Sequence, residues 1–307
     1  MKYTNRHKFS PIVANWLKFD EYDYVPGVYS ATTLLQPVRI TVLKNRHWEE
    51  AEMDIEGLIA SRYGTAIHDS FEKATINMED VRQEERMFAE IDGVKVSGKF
   101  DQLTEVDMSH FLLGDLKSTS VNAYIFGSNY DKWKNQLSIY RWLLSQQDEF
   151  SDATIFDIGV ITMIFTDWSK KKAKDSLLRG DDYPQTRIME KELDLWSLEE
   201  TESALRDCVK EITEAEKAKD ADLPRCPDED LWRTPDKWAV YGGQAQKARR
   251  VLNTEEEAKE YVEEKKVKEA RIEHRPGQVK RCKTYCAMWP WCNQYDEYKA
   301  QGLTTED

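Results

Sequence analysis

The stretch from Glu85 to Lys117 leaves this chain few ways to fold. Glu85–Ile91 and Val94–Leu103 are extended-type runs joined by Asp92-Gly93, a favoured two-residue hairpin turn. A polar link then leads into a third apolar run, Phe111–Lys117. Three successive strands expose a face that other elements must cover, and the flanking sequence supplies helices. From Ala51 to Ile76, Leu58, Ile59, Tyr63, Ala66, Ile67, Phe71 and Ala74 recur at spacings of three and four, which predicts an amphipathic helix. Asp131–Gln147 puts Trp133, Leu137, Tyr140 and Leu144 on the buried side of another. Thr154–Phe165 is strongly β-branched and predicts a strand, with a further strand around Gln185–Leu195. Ser197-Leu198-Glu199-Glu200 opens a helix with a capping-box pattern, running to about Lys219. This order predicts an α/β fold, a mixed central sheet flanked by helices, and excludes a repeat architecture.

Beyond Asp220 the pattern breaks at Pro224, Cys226, Pro227, Pro235 and Gly242-Gly243. One charged helix, Thr254–Arg271, and a Cys- and Trp-rich end follow. The expected division is a core over residues 1–220 and a C-terminal cysteine-bearing subdomain, 221–307, packed on it. Residues 29–35 lead toward a helix. Residues 1–28, with Trp16 and Tyr22-Asp23-Tyr24, carry no assignable motif.

The net charge of −13 argues against a broad surface coating nucleic acid. It leaves room for an acidic metal site, because bound divalent ions reverse the local sign. No apolar run approaches the ~20 residues of a membrane span. The opening residues lack the apolar core of a signal peptide, so a cytoplasmic protein is expected. There the five cysteines are expected as thiols or metal ligands rather than disulfides.

Gly98-Lys99-Phe100-Asp101 and Gly114-Asp115-Leu116-Lys117 carry the sharpest chemical signal. Strand side chains alternate, so Asp115 and Lys117 share a face about 7 Å apart. Setting the two strands side by side brings Asp101 and Asp115 to one edge. Carboxylates so placed can hold Mg²⁺ or Mn²⁺, and a lysine beside them can act on the attacking water. A lone Asp-x-Lys is common on edge strands; further features at compatible positions give this one weight. His68 and Glu72, four apart, share a helix face, and His68 is a candidate third ligand. Gln136 and Tyr140 are likewise four apart on the following helix.

Gly-x-x-x-His, Gly-x-x-Asp, Asp-x-Lys and Gln-x-x-x-Tyr, in this order over residues 29–195, resemble the RecB-like branch of the PD-(D/E)XK nucleases. The resemblance implies a restriction-endonuclease-like core and metal-dependent DNA cleavage, of the exonuclease type, in phage or prokaryotic recombination, repair or processing. It implies metal ligation by His68, Asp101, Asp115 and the main-chain carbonyl of Leu116, catalysis by Lys117, and positions near the DNA strand and active site for Gln136 and Tyr140. Glu72 would support substrate or ligands. The implied partners are DNA, as duplex ends or single strand, and a recombination partner protein. A catalytically silent module that grips DNA or protein is the alternative.

Cys282, Cys286 and Cys292 form C-x₃-C-x₅-C, which reads as a metal or cluster site needing a fourth thiol. Cys208 falls on the apolar stripe of its helix with Leu205, Val209 and Ile212 and is expected in a core, which leaves Cys226 as the fourth ligand. Some RecB-like nucleases carry a 4Fe–4S cluster on a similar C-terminal group. The first gap here is three rather than two residues and the lone cysteine follows the core, so structural Zn²⁺ stays as the alternative. Lys265, Lys266, Lys268, Arg271, Arg275, Lys280, Arg281 and Lys283 outnumber Glu269 and Glu273, a candidate DNA-facing patch or a solvated helix face. Lys170–Lys174 is expected as an exposed basic loop.

Overall fold

The computed structural model describes residues 1–19, 25 and 27–304, so Tyr22-Asp23-Tyr24 lies outside the described residues. In chain order the elements begin β1 (Lys2–Thr4), α1 (Pro11–Lys18), β2 (Val28–Ser30), α2 (Ala31–Leu34), α3 (Val38–His47) and β3 (Glu52–Asp54). Next come α4 (Ile59–Thr75), β4 (Val81–Gln83), β5 (Arg86–Ile91), β6 (Val94–Lys99), β7 (Gln102–Asp107) and β8 (His110–Thr119). Then follow α5 (Val121–Phe126), α6 (Tyr130–Ser145), β9 (Thr154–Phe165), α7 (Lys170–Arg179), β10 (Ile188–Asp194) and α8 (Leu198–Ala215). The chain closes with β11 (Lys237–Gly242), β12 (Arg250–Leu252), α9 (Glu255–Glu264), β13 (Ala270–Arg275), α10 (Arg281–Tyr285) and α11 (Asn293–Ala300). These elements divide into two compact units, one over residues 3–36 and 54–214, the other over 1–2, 37–53 and 215–307.

The larger unit is mixed α/β, with a five-stranded sheet in the order β10-β9-β8-β7-β4. β8 and β9 run parallel, while β10, β7 and β4 join antiparallel. A second sheet, β2-β6-β5, pairs β2 parallel to β6 and closes the hairpin β5–β6 at Asp92-Gly93. Asp92 and Gly93 both take the positive φ that such a turn demands. Helix α6 buries Trp133, Leu137, Tyr140, Leu143 and Leu144. Two glycines let it approach both sheets: a Cβ on Gly98 would meet Leu143 and the Tyr140 ring, and one on Gly159 would meet Leu137. Ser197 and Glu200 form the expected capping box at α8, each side chain accepting from the other's backbone N–H.

Several elements differ from the sequence expectation. The second hairpin arm is not one strand: β6 ends at Lys99 and β7 starts at Gln102 in the other sheet. The helix expected from Ala51 is shortened by β3 and a 3₁₀ turn, Ile55–Leu58, and its apolar stripe is not a core face. Tyr63 is 54% exposed, and in α4 only Arg62 is buried. Residues 170–174 begin α7, capped by the Ser169 hydroxyl, rather than a loop. Trp16, without a motif in sequence, lies in α1, its ring 6.3 Å from that of Tyr63.

In the smaller unit β11 is flanked antiparallel by β12 and β13. The helix expected over residues 254–271 therefore stops at Glu264, and its last part belongs to β13. The core joins Ile40, Val42, Leu43 and Ala51 from the early segment to Leu223, Leu231, Val279, Met288, Tyr295 and three cysteines from the C-terminal part. No helix among the described residues is long and apolar enough to cross a membrane.

Candidate functional site

Asp101 lies where the chain leaves β6 and enters β7. Gln102 pairs with Gly114 of β8, a register that carries Asp101 up to Asp115. The Leu116 N–H donates to Asp101 Oδ2 at 2.8 Å and fixes that carboxylate. Asp115 is only 3% exposed, and Lys117 Nζ lies 2.6 Å from its Oδ2. Lys117 also donates to Gln136 Oε1 at 3.1 Å, and Gln136 Nε2 donates to the Tyr140 hydroxyl at 2.7 Å. The four-residue spacing on α6 thus becomes a polar row beneath the lysine. Apart from the close Lys117 ammonium, neither buried oxygen of Asp115 has an aligned hydrogen-bond donor. Buried carboxylate oxygens left this way are suited to an incoming cation.

His68 reaches the same place from α4, its Nδ1 3.5 Å from Asp101 Oδ2 and 3.9 Å from Glu84 Oε1. Among the described residues, His68, Glu84 and Asp101 are the group of His, Cys, Asp and Glu side chains whose ligand atoms lie within 4.8 Å of one another. Sequence reasoning missed Glu84, which belongs to no spaced motif; it is followed at once by the hairpin arm. Its backbone has φ of 53°, unusual without a glycine, and its carboxylate also pairs with Lys99. Glu72, the acid expected beside His68, lies outside this group.

The site is electrostatically tense. Burial and the Asp115 charge push the Asp101 carboxyl up to about 7, against the pull of His68, Lys117 and the Leu116 N–H. Glu84 would be raised by burial, but hydrogen bonds from His68 and Lys99 hold it below the usual carboxylate range. His68 is raised, chiefly by its contact with Glu84 and then by the Asp101 and Asp115 charges, with burial opposing. Burial would lower Lys117, yet Asp115 and Asp101 outweigh it and keep the amine charged. Tyr140 is held far above the ordinary phenol range by burial and by Asp115, so it serves as a neutral hydroxyl.

In the smaller unit Cys226, Cys282, Cys286 and Cys292 line one cavity, together with Arg39, Asp230, Arg281, Met288 and Trp289. Cys208 is half-buried in α8, whose Leu205, Val209 and Ile212 are buried. Cys226 and Cys282 are pushed up to about 12, by burial first and then by neighbouring thiols. Thiols raised this far are protonated at neutral pH. No three of the thiols come within 4.8 Å of one another as the His68 group does. The basic residues from 265 to 283 do not share a helix face: they lie on a turn, β13 and α10. Arg271 stacks 4.4 Å over the Tyr241 ring, and Arg275 pairs with Glu273.

No family model and no curated protein sequence matches this chain. Among solved structures, the crystal structure of SSO0001 is similar over 62% of this chain and 78% of its own, at 17% identity and a TM-score of 0.42. A phage related exonuclease from Haemophilus somnus 129PT is similar over 66% of this chain and 79% of its own, at 12% identity and a TM-score of 0.27. Both are distant likenesses in chain path, and the functional reading rests on the site's own geometry.

Proposed function

We propose that the chain is a Mg²⁺- or Mn²⁺-dependent deoxyribonuclease that hydrolyses phosphodiester bonds, as an exonuclease on duplex ends or single strands. The observation that carries this reading is the convergence of Asp101, Asp115, Lys117 and His68, from a strand junction, a central strand and a helix, around buried Asp115 oxygens that have no aligned donor apart from the Lys117 ammonium. Carboxylate oxygens with one imidazole suit a hard divalent ion. His68, Asp101, Asp115 and the Leu116 carbonyl would hold it, with Glu84 as an added ligand. When bound, the ion polarises the phosphate and lowers the pKa of the attacking water. Lys117, kept as an ammonium, orients that water and offsets charge building on the phosphate oxygens. Gln136 and Tyr140 fix the lysine's position from below. The ordered motifs shared with RecB-like nucleases support the same assignment, and a role in phage or prokaryotic recombination, repair or processing, with a recombination partner protein, extends it.

The cavity lined by Cys226, Cys282, Cys286 and Cys292 is read as the seat of a 4Fe–4S cluster with a structural role, Zn²⁺ being the alternative.

The test is cleavage of end-labelled linear and closed circular DNA with Mg²⁺, Mn²⁺ or EDTA, for the intact chain, Asp115→Ala and Lys117→Ala. Metal-dependent loss of linear DNA alone, abolished in both variants with Lys117→Ala still binding metal and DNA, is expected. Nicking of the circle would make the enzyme an endonuclease. Full activity in Lys117→Ala would sink the site assignment, and DNA binding without cleavage under any metal would make the chain a binding module.

A further inference from the structure

We propose that Arg39 is the charge-balancing cation of the four-cysteine centre, an inference that rests on the reading of that cavity as a thiolate-ligated metal site. Arg39 is 2% exposed, an unusual place for a guanidinium. It donates through Nε to the Pro224 carbonyl at 2.9 Å, through Nη2 to the Leu223 carbonyl, and through Nη1 to Asn293 Oδ1 at 2.6 Å. Its remaining contact is Nη1 to Cys292 Sγ at 3.8 Å. Apart from that sulfur, its partners are neutral carbonyl and amide oxygens, and among the described residues no carboxylate forms an ion pair with it. The other cation lining the cavity, Arg281, already faces Asp230 at 3.5 Å.

A buried cation is tolerated where an anion answers it. Four thiolates around Zn²⁺, or around a cluster core of two positive charges, leave negative charge in excess. The filled centre would supply the anion that Arg39 lacks, whichever group fills it. Arg39 belongs to α3, from the early segment of the chain, and its donors reach both the Leu223-Pro224 bend before Cys226 and Asn293 after Cys292. It is therefore placed to hold the two cysteine-bearing stretches and to stabilise the anionic form through its hydrogen bond to sulfur.

The experiment compares the anaerobically purified full chain with Arg39→Gln, which is neutral, and Arg39→Lys, which keeps the charge. Iron, sulfide and zinc are measured per chain, with loss of the group to chelator and the thermal midpoint of loaded and stripped protein. For an iron cluster the reduction midpoint is added. The expected result is that Arg39→Gln loses the group about tenfold faster, the scale of a removed outer-shell partner. Its cluster midpoint moves to more negative potential, and Arg39→Lys stays near the parent in both. Arg39→Gln is expected to lower the thermal midpoint of the loaded protein more than that of the stripped protein, because the loss of its hydrogen bonds is common to both and the loss of the charge acts only on the filled centre. Equal retention of the group, with the same midpoint loss in loaded and stripped protein, would make Arg39 a structural tie and overturn the proposal. Failure of Arg39→Lys to retain the group, where Arg39→Gln does no worse, would overturn it as well. A parent chain holding neither iron nor zinc would overturn the reading of the cavity itself, and the role of Arg39 with it.

Discussion

At the residue scale, Glu84 shows what this site costs locally. A non-glycine residue at φ of 53° is strained by about 1–3 kcal/mol. The carboxylate presented from this backbone is held by Lys99 and faces His68. Glu84→Gln keeps the shape and removes the charge. Its Mn²⁺ affinity, read by calorimetric titration, is expected to fall about 10–100-fold. An unchanged affinity would remove Glu84 from the ligand set. Asp101 makes the site pH-dependent. Its folded pKa of about 7 lies above the ordinary 3.8, so between these values the metal-free folded chain keeps a proton that the unfolded chain has lost. This group's contribution to stability therefore declines as pH rises through that window. Metal must displace the same proton, and the raised His68 adds to the competition. Apparent Mn²⁺ affinity should thus weaken by about tenfold per pH unit below about pH 7 from the Asp101 proton alone, and more steeply where His68 is protonated as well. A flat profile across that range would contradict the Asp101 assignment.

At the scale of elements, α6 and the β6–β7 junction set the site. The hairpin was legible because Asp92-Gly93 and alternation are local signals. The break after Lys99 was not, since which sheet Gln102 joins depends on strands far along the chain. Gly98 looks in sequence like a motif glycine; its physical role is to admit α6. A Cβ there would lie 2.5 Å from Leu143 Cδ1 and 2.8 Å from the Tyr140 ring. Gly98→Ala is expected to destabilise the fold by about 1–3 kcal/mol. It should also shift Tyr140 off Gln136, lowering cleavage rate as well as the thermal midpoint. An alanine variant melting with the parent would show that α6 has room to spare. The stripe on α4 was misread for a related reason. Its helical period is real, but periodicity does not say whether a partner surface exists, and Tyr63 remains exposed.

On the scale of the whole molecule, the chain cannot be cut cleanly where its composition changes. Ile40, Val42, Leu43 and Ala51 share a core with Leu231, Val279, Met288 and the cysteines. A chain ending at residue 214 would keep those four apolar side chains and lose what covers them. It is expected to aggregate, eluting in the void volume on size exclusion. A monomeric fragment melting cooperatively would show that the early segment can be covered without the C-terminal residues.

The sequence by itself determined the local chemistry: the Asp92-Gly93 turn, the capping box at Ser197, the β-branched run of β9, and the acid–lysine pairing on one strand face. Each is fixed by spacing over a few residues. Only the tertiary structure decided what spacing cannot encode. It brought Glu84 to His68 and Asp101, divided one predicted strand between two sheets, and carried Arg39 from an early helix to cysteines late in the chain. Those choices depend on which distant surfaces exclude water together, and burial of that kind is set by the assembled fold.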